Sequence, residues 1–328
     1  MNHADMARIR IGIVTWNSGA YIAACLDALP EATAGLDAEV VVVDNASTDD
    51  TVEVVRACNG ISVIANAQNR GYARGMNQAL GRPGDAEVLI ALNPDTVPPP
   101  GSLRSLVDEL EADPTLGLVV PRLANPDGSL QHSVYRFPSP GLTAVTCLVP
   151  IRLQRGRLAR RWWLEGRTPH DRVTDVEWAI GAVHVIRTAA LGGQPPYCER
   201  WFMYAEDMDL CWRLDQAGWR RRLVSEVSVI HVANASGRLA FGDTRSARWW
   251  AASYDWYRFR RGVPAARRWA TANALGATKM LLQYRLAQRL VGRRARLASA
   301  QAGELRKVLP LHWQMRRHPG TAFVPDEG

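Results

Sequence analysis

The sequence predicts an α/β protein: a mainly parallel sheet with flanking helices, followed by a basic helical C-terminal extension. Three observations carry this expectation. Strand and helix patterns alternate over the first 120 residues, the rhythm of a parallel sheet covered on both faces. Polar residues cluster just after three of the strands. Charge also divides along the chain: Met1 to Ser236 carries 22 basic and 27 acidic side chains, whereas Gly237 to Gly328 carries 18 and 5. The net charge of +8 therefore belongs to the tail.

The elements follow in order. Arg10 to Thr15 is a β-branched strand, Ala20 to Leu29 a helix that stops at Pro30, and Glu39 to Val43 a buried strand. Thr48 to Ala57 reads as a helix capped by Ser47. A strand at Ile61 to Ile64, a helix at Tyr72 to Leu80, a strand at Glu87 to Leu92, a helix at Ser102 to Glu111 and a strand at Leu116 to Val120 complete the alternation. An irregular stretch from Pro121 to Pro140 contains a tight turn, ANPDG. Val149 to Leu164 is rich in arginine and tryptophan, fitting either an amphipathic helix on a membrane surface or a solvated face. Val176 to Ile186 returns to strand character, Glu206 to Ala217 is helical, and Arg222 to His231 is a final strand. Beyond Arg238 the pattern is helical and basic, ending in a Pro- and Gly-containing tail.

Composition narrows the function classes. A chain of 328 residues with 47% hydrophobic and 22% charged side chains has a core to bury, which excludes disorder, collagen repeats and disulfide miniproteins. No apolar run reaches the roughly 18 residues of a membrane span, and MNHADMARIR has no secretion-signal pattern, so a cytoplasmic protein is expected. Cys25, Cys58, Cys147, Cys198 and Cys211 are scattered and read as reduced packing residues. Only Lys279 and Lys307 among the 40 basic residues are lysines. Arginine suits bidentate phosphate contacts, although a G/C-rich genome produces the same bias. The basic tail points to nucleic acid or an anionic membrane surface, and the acidic body argues against a protein built mainly around a nucleic-acid groove.

In open α/β sheets, ligands sit beyond the carboxyl ends of the strands. There the sequence places Thr15, Trp16 and Asn17; then Asp44, Asn45 and Ser47; then Asn93 and Asp95. A turn and helix cap accounts for the second group alone, but not for all three ends at once. The segments IVTWNSG, VVVDNASTDDT, NRGYARGMNQAL, LNPDT, WFMYAEDMDLCWRL and VIHVANASG, in that order over Ile9 to Arg261, resemble the inverting family-2 glycosyltransferases of the GT-A fold, and within them the rhamnosyltransferase branch.

The resemblance implies a GT-A catalytic domain over residues 1–237, with a donor half at 9–121 and an acceptor half at 122–237, and an extension at 238–328. It implies that Asp44 accepts a hydrogen bond from the pyrimidine ring N–H, with Thr15, Asn17 and Asn45 lining the base and ribose pocket. Gly71 would allow close backbone approach to the nucleotide, while Arg70, Arg74 and Asn77 offer polar contacts. Asn93 replaces the first carboxylate of the family's Asp-x-Asp metal motif. Asp95 and His231 then remain as ligands for Mg²⁺ or Mn²⁺, which need only one or two protein carboxylates beside a diphosphate. Asp207 matches the general base, with Glu206 orienting the acceptor and Asp209 structural. Trp178, Gly181, Trp201 and Tyr204 would shape the acceptor and sugar pocket. The implied reaction moves L-rhamnose from dTDP-L-rhamnose to N-acetylglucosaminyl-diphospho-polyprenol in cell-wall linker synthesis, at the inner face of the plasma membrane. The partners are thus a nucleotide-diphospho-sugar donor, a lipid-linked diphospho-sugar acceptor and an anionic membrane surface. The surface role falls to basic segments at Ile151 to Leu164 and Arg245 to Arg296, with Trp249, Trp250, Trp256 and Trp269 suited to an interface, although tryptophans at helical spacing are more often core. A same-fold transferase of a UDP- or GDP-sugar, galactofuranosyl or mannosyl, stays open, as does a binding protein without catalysis. No Gly-x-Gly-x-x-Gly follows the first strand, which excludes a dinucleotide oxidoreductase.

Overall fold

The computed structural model describes residues 9–82, 84–148, 170–232, 245–288 and 293–319. The chain forms two compact units, Met1–Tyr135 with Thr168–Ala240, and Arg136–Arg167 with Phe241–Gly328. This division differs from the expected boundary at 238, because the stretch after Tyr135 groups with the C-terminal helices.

In chain order the first unit holds β1 (Ile9–Thr15), α1 (Gly19–Ala32), β2 (Ala38–Asp44), α2 (Thr51–Arg56), β3 (Ile61–Ala65), α3 (Tyr72–Leu80), β4 (Val88–Leu92), β5 (Thr96–Val97), α4 (Ser102–Ala112), β6 (Leu116–Ala124), β7 (Leu130–Gln131) and β8 (Val134–Tyr135). The second unit contributes α5 (Pro140–Leu148). The chain then returns to the first unit with β9 (Thr174–Asp175), β10 (Trp178–Ala179), β11 (Val183–Arg187), α6 (Glu206–Gln216) and β12 (Arg220–His231).

The main sheet has the order β3-β2-β1-β4-β11-β6-β12-β5. The first four of these strands are parallel, β11 inserts antiparallel between β4 and β6, and β12 runs parallel to β6. Ile11, Ile13, Val42, Ile90 and Leu92 are fully buried in its core, each stabilising the fold by about 1.5–3 kcal/mol. Gly12 lets α3 lie close on β1, since a Cβ there would stand 2.9 Å from Leu80 Cδ2. This packing brings the start of α3 to the carboxyl edge of the sheet.

Several elements depart from the sequence pattern. α1 continues through Pro30 to Ala32: a proline this close to a helix end removes a single hydrogen bond, and buried Leu29 and Ala32 hold the last turn on the core. α2 begins at Thr51 with Asp50 before it, so Ser47 is not its cap. The strand expected over Val176 to Ile186 is broken by a turn at Gly181 and Ala182. β10 pairs with β8 in a separate two-stranded sheet, while β11 joins the main one. β12 starts at Arg220, two residues earlier than expected.

The second unit holds α5, α7 (Arg245–Arg261), α8 (Val263–Ala287) and α9 (Arg293–Arg317). Its core is aromatic: Tyr257 stacks on Trp269 at 4.7 Å, Tyr254 lies 4.7 Å from Trp269, and the Trp269 Nε1–H donates to Thr143 Oγ1 at 3.1 Å. Trp256 and Trp269 are buried core residues, correcting their expected interfacial placement. Of the four tryptophans named for an interface, Trp249 is the exposed one. The expected amphipathic segment Val149 to Leu164 lies outside the described residues, as does the tail after residue 319.

Candidate active site

The ends of β1 and β2 build a fixed carboxylate. Asp44 is 2% exposed; its Oδ1 accepts from Thr15 Oγ1 at 2.8 Å and from the Ser47 hydroxyl, and its Oδ2 accepts the Ser47 N–H at 2.8 Å. The polar run from Asp44 to Ser47 therefore serves as an anion turn rather than a helix cap. Asn17, at φ 49, donates its N–H to Ser47 Oγ and accepts the Thr48 N–H, both at 2.8 Å. Asn45 donates to the Gly71 carbonyl at 3.1 Å and accepts from Asn66 at 3.0 Å. Thr15, Asn17, Asp44 and Asn45 are thus gathered in one place.

The α3 end is arranged differently from the expectation. Gly71 has φ 88 and ψ 167, a region open essentially to glycine alone. An added Cβ would overlap the Phe202 carbonyl oxygen, the acceptor of the Tyr72 N–H at 2.8 Å. The close approach at Gly71 is therefore to the protein's own backbone. Asn77 is likewise committed: its amide donates to the Tyr197 carbonyl at 2.8 Å and accepts the Tyr197 N–H at 3.0 Å, which corrects its reading as an available nucleotide contact. Arg74 pairs with Glu199 at 3.1 Å. Arg70 is exposed at the loop.

The β4 end carries Asn93 and Asp95. Asn93 is half-buried, and its N–H donates to the Ala182 carbonyl at 2.9 Å. Asp95 is 5% exposed, and its Oδ1 lies 3.3 Å from His231 Nε2 at the end of β12. His231 Nδ1 meets Gln131 Oε1 at 2.7 Å. With Nδ1–H donating there, the Nε2 lone pair faces the carboxylate, so the two groups offer a shared cation one nitrogen and one oxygen ligand. Among the described residues, no group of three or more His, Cys, Asp or Glu side chains could hold a metal ion. One imidazole and one carboxylate fit a hard cation whose remaining positions come from phosphate and water.

The base candidate lies at the start of α6. Tyr204 and Ala205 both have positive φ, 72 and 69, a left-handed approach costing about 1–2 kcal/mol per residue, and it delivers Glu206 and Asp207 in the first turn. Asp207 Oδ2 accepts the Gly181 N–H at 3.1 Å, and Oδ1 accepts the Met208 N–H at 2.6 Å. Burial pushes its carboxyl up to about 6 despite these bonds. Glu206 is pushed well above the usual carboxylate range by burial and by Asp207 beside it, and its Oε2 is buried with no hydrogen-bond partner. Burial and the proximity of the two acids therefore disfavour a second negative charge on the pair. Asp209 is fully buried and pairs with Arg213 at 3.1 Å.

One turn joins these parts. Ala182 accepts from Asn93, Gly181 donates to Asp207, and the Tyr72 hydroxyl donates to the Gly181 carbonyl at 3.1 Å. Burial raises the Tyr72 phenol, and Glu206, Asp207 and Asp95 all add to the rise; the three carboxylates thus share one neighbourhood. An added Cβ at Gly181 meets only ordinary contacts, the nearest at 3.5 Å, so its backbone N–H is what matters. Trp178 stacks on Tyr135 at 5.0 Å and Trp201 is 6% exposed, which packs both rings instead of leaving open stacking faces. Tyr204 is half-buried. Tyr72 and Gln131 escaped the sequence reading: Tyr72 lies inside a segment read as helix, and Gln131 meets His231 across a pairing 100 residues apart.

This fold and this arrangement of carboxylates belong to a known class: the family model for Glycosyl transferase family 2 matches residues 10–179, and the chain belongs to that family and is a glycosyltransferase with the GT-A fold. It is 28% identical over 268 residues to the N-acetylglucosaminyl-diphospho-decaprenol L-rhamnosyltransferases of two Mycobacterium tuberculosis strains, CDC 1551 / Oshkosh and H37Rv, covering 74% of this chain and 86% of each relative. It is also 25% identical over 186 residues to the rhamnosyltransferase WbbL of Escherichia coli K12, covering 56% of this chain and 65% of that protein. Among solved structures, a mannosyltransferase from Pyrobaculum calidifontis in complex with GDP-Man and Mn²⁺ superposes with a TM-score of 0.55 at 17% identity, covering 97% of this chain and 89% of the other.

Proposed function

We propose that this glycosyltransferase moves L-rhamnose from dTDP-L-rhamnose to N-acetylglucosaminyl-diphospho-polyprenol by a single inverting displacement. It would do so at the inner face of the plasma membrane. The observation that carries the chemistry is the Asp207 carboxylate, held by two backbone N–H groups, raised to about 6 by burial and sharing surroundings with Asp95 through Tyr72. The choice of sugar and acceptor is supported by the names of the rhamnosyltransferase relatives, and the membrane reading by the +13 balance of residues 237–328.

Asp44, presenting a fixed acceptor, binds the ring N–H of the base, with Thr15, Asn17 and Asn45 around it. Arg70, exposed at the loop, reaches the donor phosphates. Asp95 and His231 would hold a divalent cation, Mg²⁺ or Mn²⁺, which when bound supplies positive charge to a leaving nucleoside diphosphate. Asp207 takes the proton of the acceptor hydroxyl as its oxygen attacks the anomeric carbon, and the C–O bond to the diphosphate breaks on the opposite face with inversion. Glu206, whose proton burial favours, orients the acceptor by hydrogen bonding.

The test is a donor panel with a synthetic GlcNAc-diphospho-lipid acceptor: dTDP-rhamnose, UDP-galactofuranose, UDP-GlcNAc and GDP-mannose, with product followed by mass. Rhamnose transfer that EDTA abolishes is the expected outcome. Transfer of a different sugar would overturn the rhamnose assignment, and rhamnose transfer indifferent to EDTA would overturn the metal role of Asp95 and His231.

A further inference from the structure

The second unit carries a feature that the transfer reaction does not use. Arg267, Arg268 and Thr271 of α8 and Arg316 and Arg317 of α9 line an open cleft of about 630 Å³. Arg267 donates to the main-chain carbonyls of Arg316 and Arg317 at 3.2 and 3.5 Å, which closes one end of the cleft. The Arg316 guanidinium rests over the Trp313 ring at 5.1 Å. No acidic side chain among the described residues pairs with any of the four arginines. Four guanidinium groups around one hollow, with no acidic partner among the described residues, repel each other unless an anion enters, and their planar forks match phosphate oxygens.

The same helix face continues as an apolar stripe. Leu275, Leu282 and Leu286 are 58%, 55% and 62% exposed. At 3.6 residues per turn they fall with Arg267, Arg268 and Thr271 in a sector of roughly 100°, and the face runs about 28 Å along α8. The core residues Ala266, Trp269, Ala270, Ala274, Ala277 and Leu281 take the opposite side. Exposed leucines are costly in water, and a stripe of them beginning at a cationic cleft is the pattern of a helix lying in a bilayer interface. Among the described residues no helix is long and apolar enough to cross a membrane, so the contact is superficial.

We infer that this face of α8 is a docking surface for an anionic bilayer, with the arginine cleft holding a lipid phosphate headgroup and the three leucines inserted among the acyl chains. The inference rests on the reading of a lipid-linked acceptor, because an enzyme seated this way meets its acceptor in two dimensions. It narrows the diffuse basic character of the tail to one cleft and one stripe.

The test uses the full chain and sedimentation with vesicles of phosphatidylcholine alone or mixed with phosphatidylglycerol. Arg268→Gln with Arg317→Gln removes two cleft cations that make no bond within the described chain. Leu275→Gln with Leu282→Gln removes the stripe. The parent protein is expected to bind only the phosphatidylglycerol vesicles. The arginine pair is expected to lose affinity about 30-fold, from roughly fivefold per cation near the surface, and the leucine pair on the order of tenfold or more. Equal vesicle binding by parent and both variants overturns the inference. Saturable binding of inorganic phosphate that the arginine pair loses, without any change on vesicles, assigns the cleft to a soluble anion instead. Transfer to a water-soluble acceptor analogue, measured without vesicles, is expected to be unchanged in both variants. Its absence from the parent as well would count against the proposed donor and acceptor and leave the vesicle result standing by itself.

Discussion

Asp44 and Asp207 stand at the same edge of one unit and are built in opposite ways. Asp44 accepts from two hydroxyls and a backbone N–H, while Asp207 has two backbone N–H donors and a carboxylic neighbour, Glu206, whose Oε2 has no hydrogen-bond partner. Burial raises the Asp207 carboxyl despite its two backbone donors. The two sites differ in the supply of donors and in the buried acid, its Oε2 without a partner, that stands beside Asp207. A carboxylate surrounded by donors is an anchor, whereas one short of donors beside a second acid is poised to take a proton.

This contrast can be broken by mutation. The largest expected effect is Asp207→Asn, which removes the base: turnover should fall about 10³-fold, within the range for general base catalysis, with donor affinity by calorimetry nearly unchanged. Equal loss of both would make Asp207 a donor-binding residue. Asp44→Ala should do the reverse. Loss of a charged acceptor, leaving the Thr15 and Ser47 donors unpaired, should weaken donor binding about 10- to 100-fold, with the turnover of bound substrate less affected. A fall confined to turnover would remove Asp44 from the nucleotide pocket.

Gly71→Ala tests the scaffold that both sites share. The φ of 88 and the Phe202 carbonyl together should cost at least about 2 kcal/mol in denaturant unfolding. Unchanged stability would mean the loop before α3 is not held as described. Glu206→Gln sharpens the comparison at lower amplitude. Because burial and Asp207 favour the protonated form of Glu206, an isosteric amide should reduce turnover less than about tenfold, and a loss matching that of Asp207→Asn would show that its ionised form is required.

The sequence made the anchor far more legible than the base. A β-branched run ending in Asp-Asn-Ala-Ser announces a strand terminus with polar cargo, and the local spacing of Asp44 and Ser47 already contains the anion turn. Asp207 depends on contacts that local pattern does not encode: its Gly181 donor is 26 residues away and sits in a turn hidden inside what reads as one continuous strand. The same limit explains Asn77, whose helix position is legible but whose partner at Tyr197 is 120 residues distant. It also explains Trp256 and Trp269, where helical spacing fits an interface and a core equally well. Alternation of strands and helices suffices for β1, β2 and β3, which pack beside their neighbours in sequence, whereas β4 pairs with the distant β1. β11, inserted antiparallel between β4 and β6, is visible only once the tertiary pairing is known.

The most direct measurement of the central claim is the pH dependence of kcat/KM for sugar transfer. The Asp207 carboxyl is raised from 3.8 to about 6 and works as a base only when ionised. Its protonated form predominates below that value, so activity should climb with pH along a single-proton limb that levels off above about 6. The limb should persist in Glu206→Gln, whose amide cannot titrate, and disappear from the residual activity of Asp207→Asn. A profile flat across the interval from the ordinary carboxylate range to neutrality, or a limb that survives in Asp207→Asn, would contradict the assignment of Asp207 as the base.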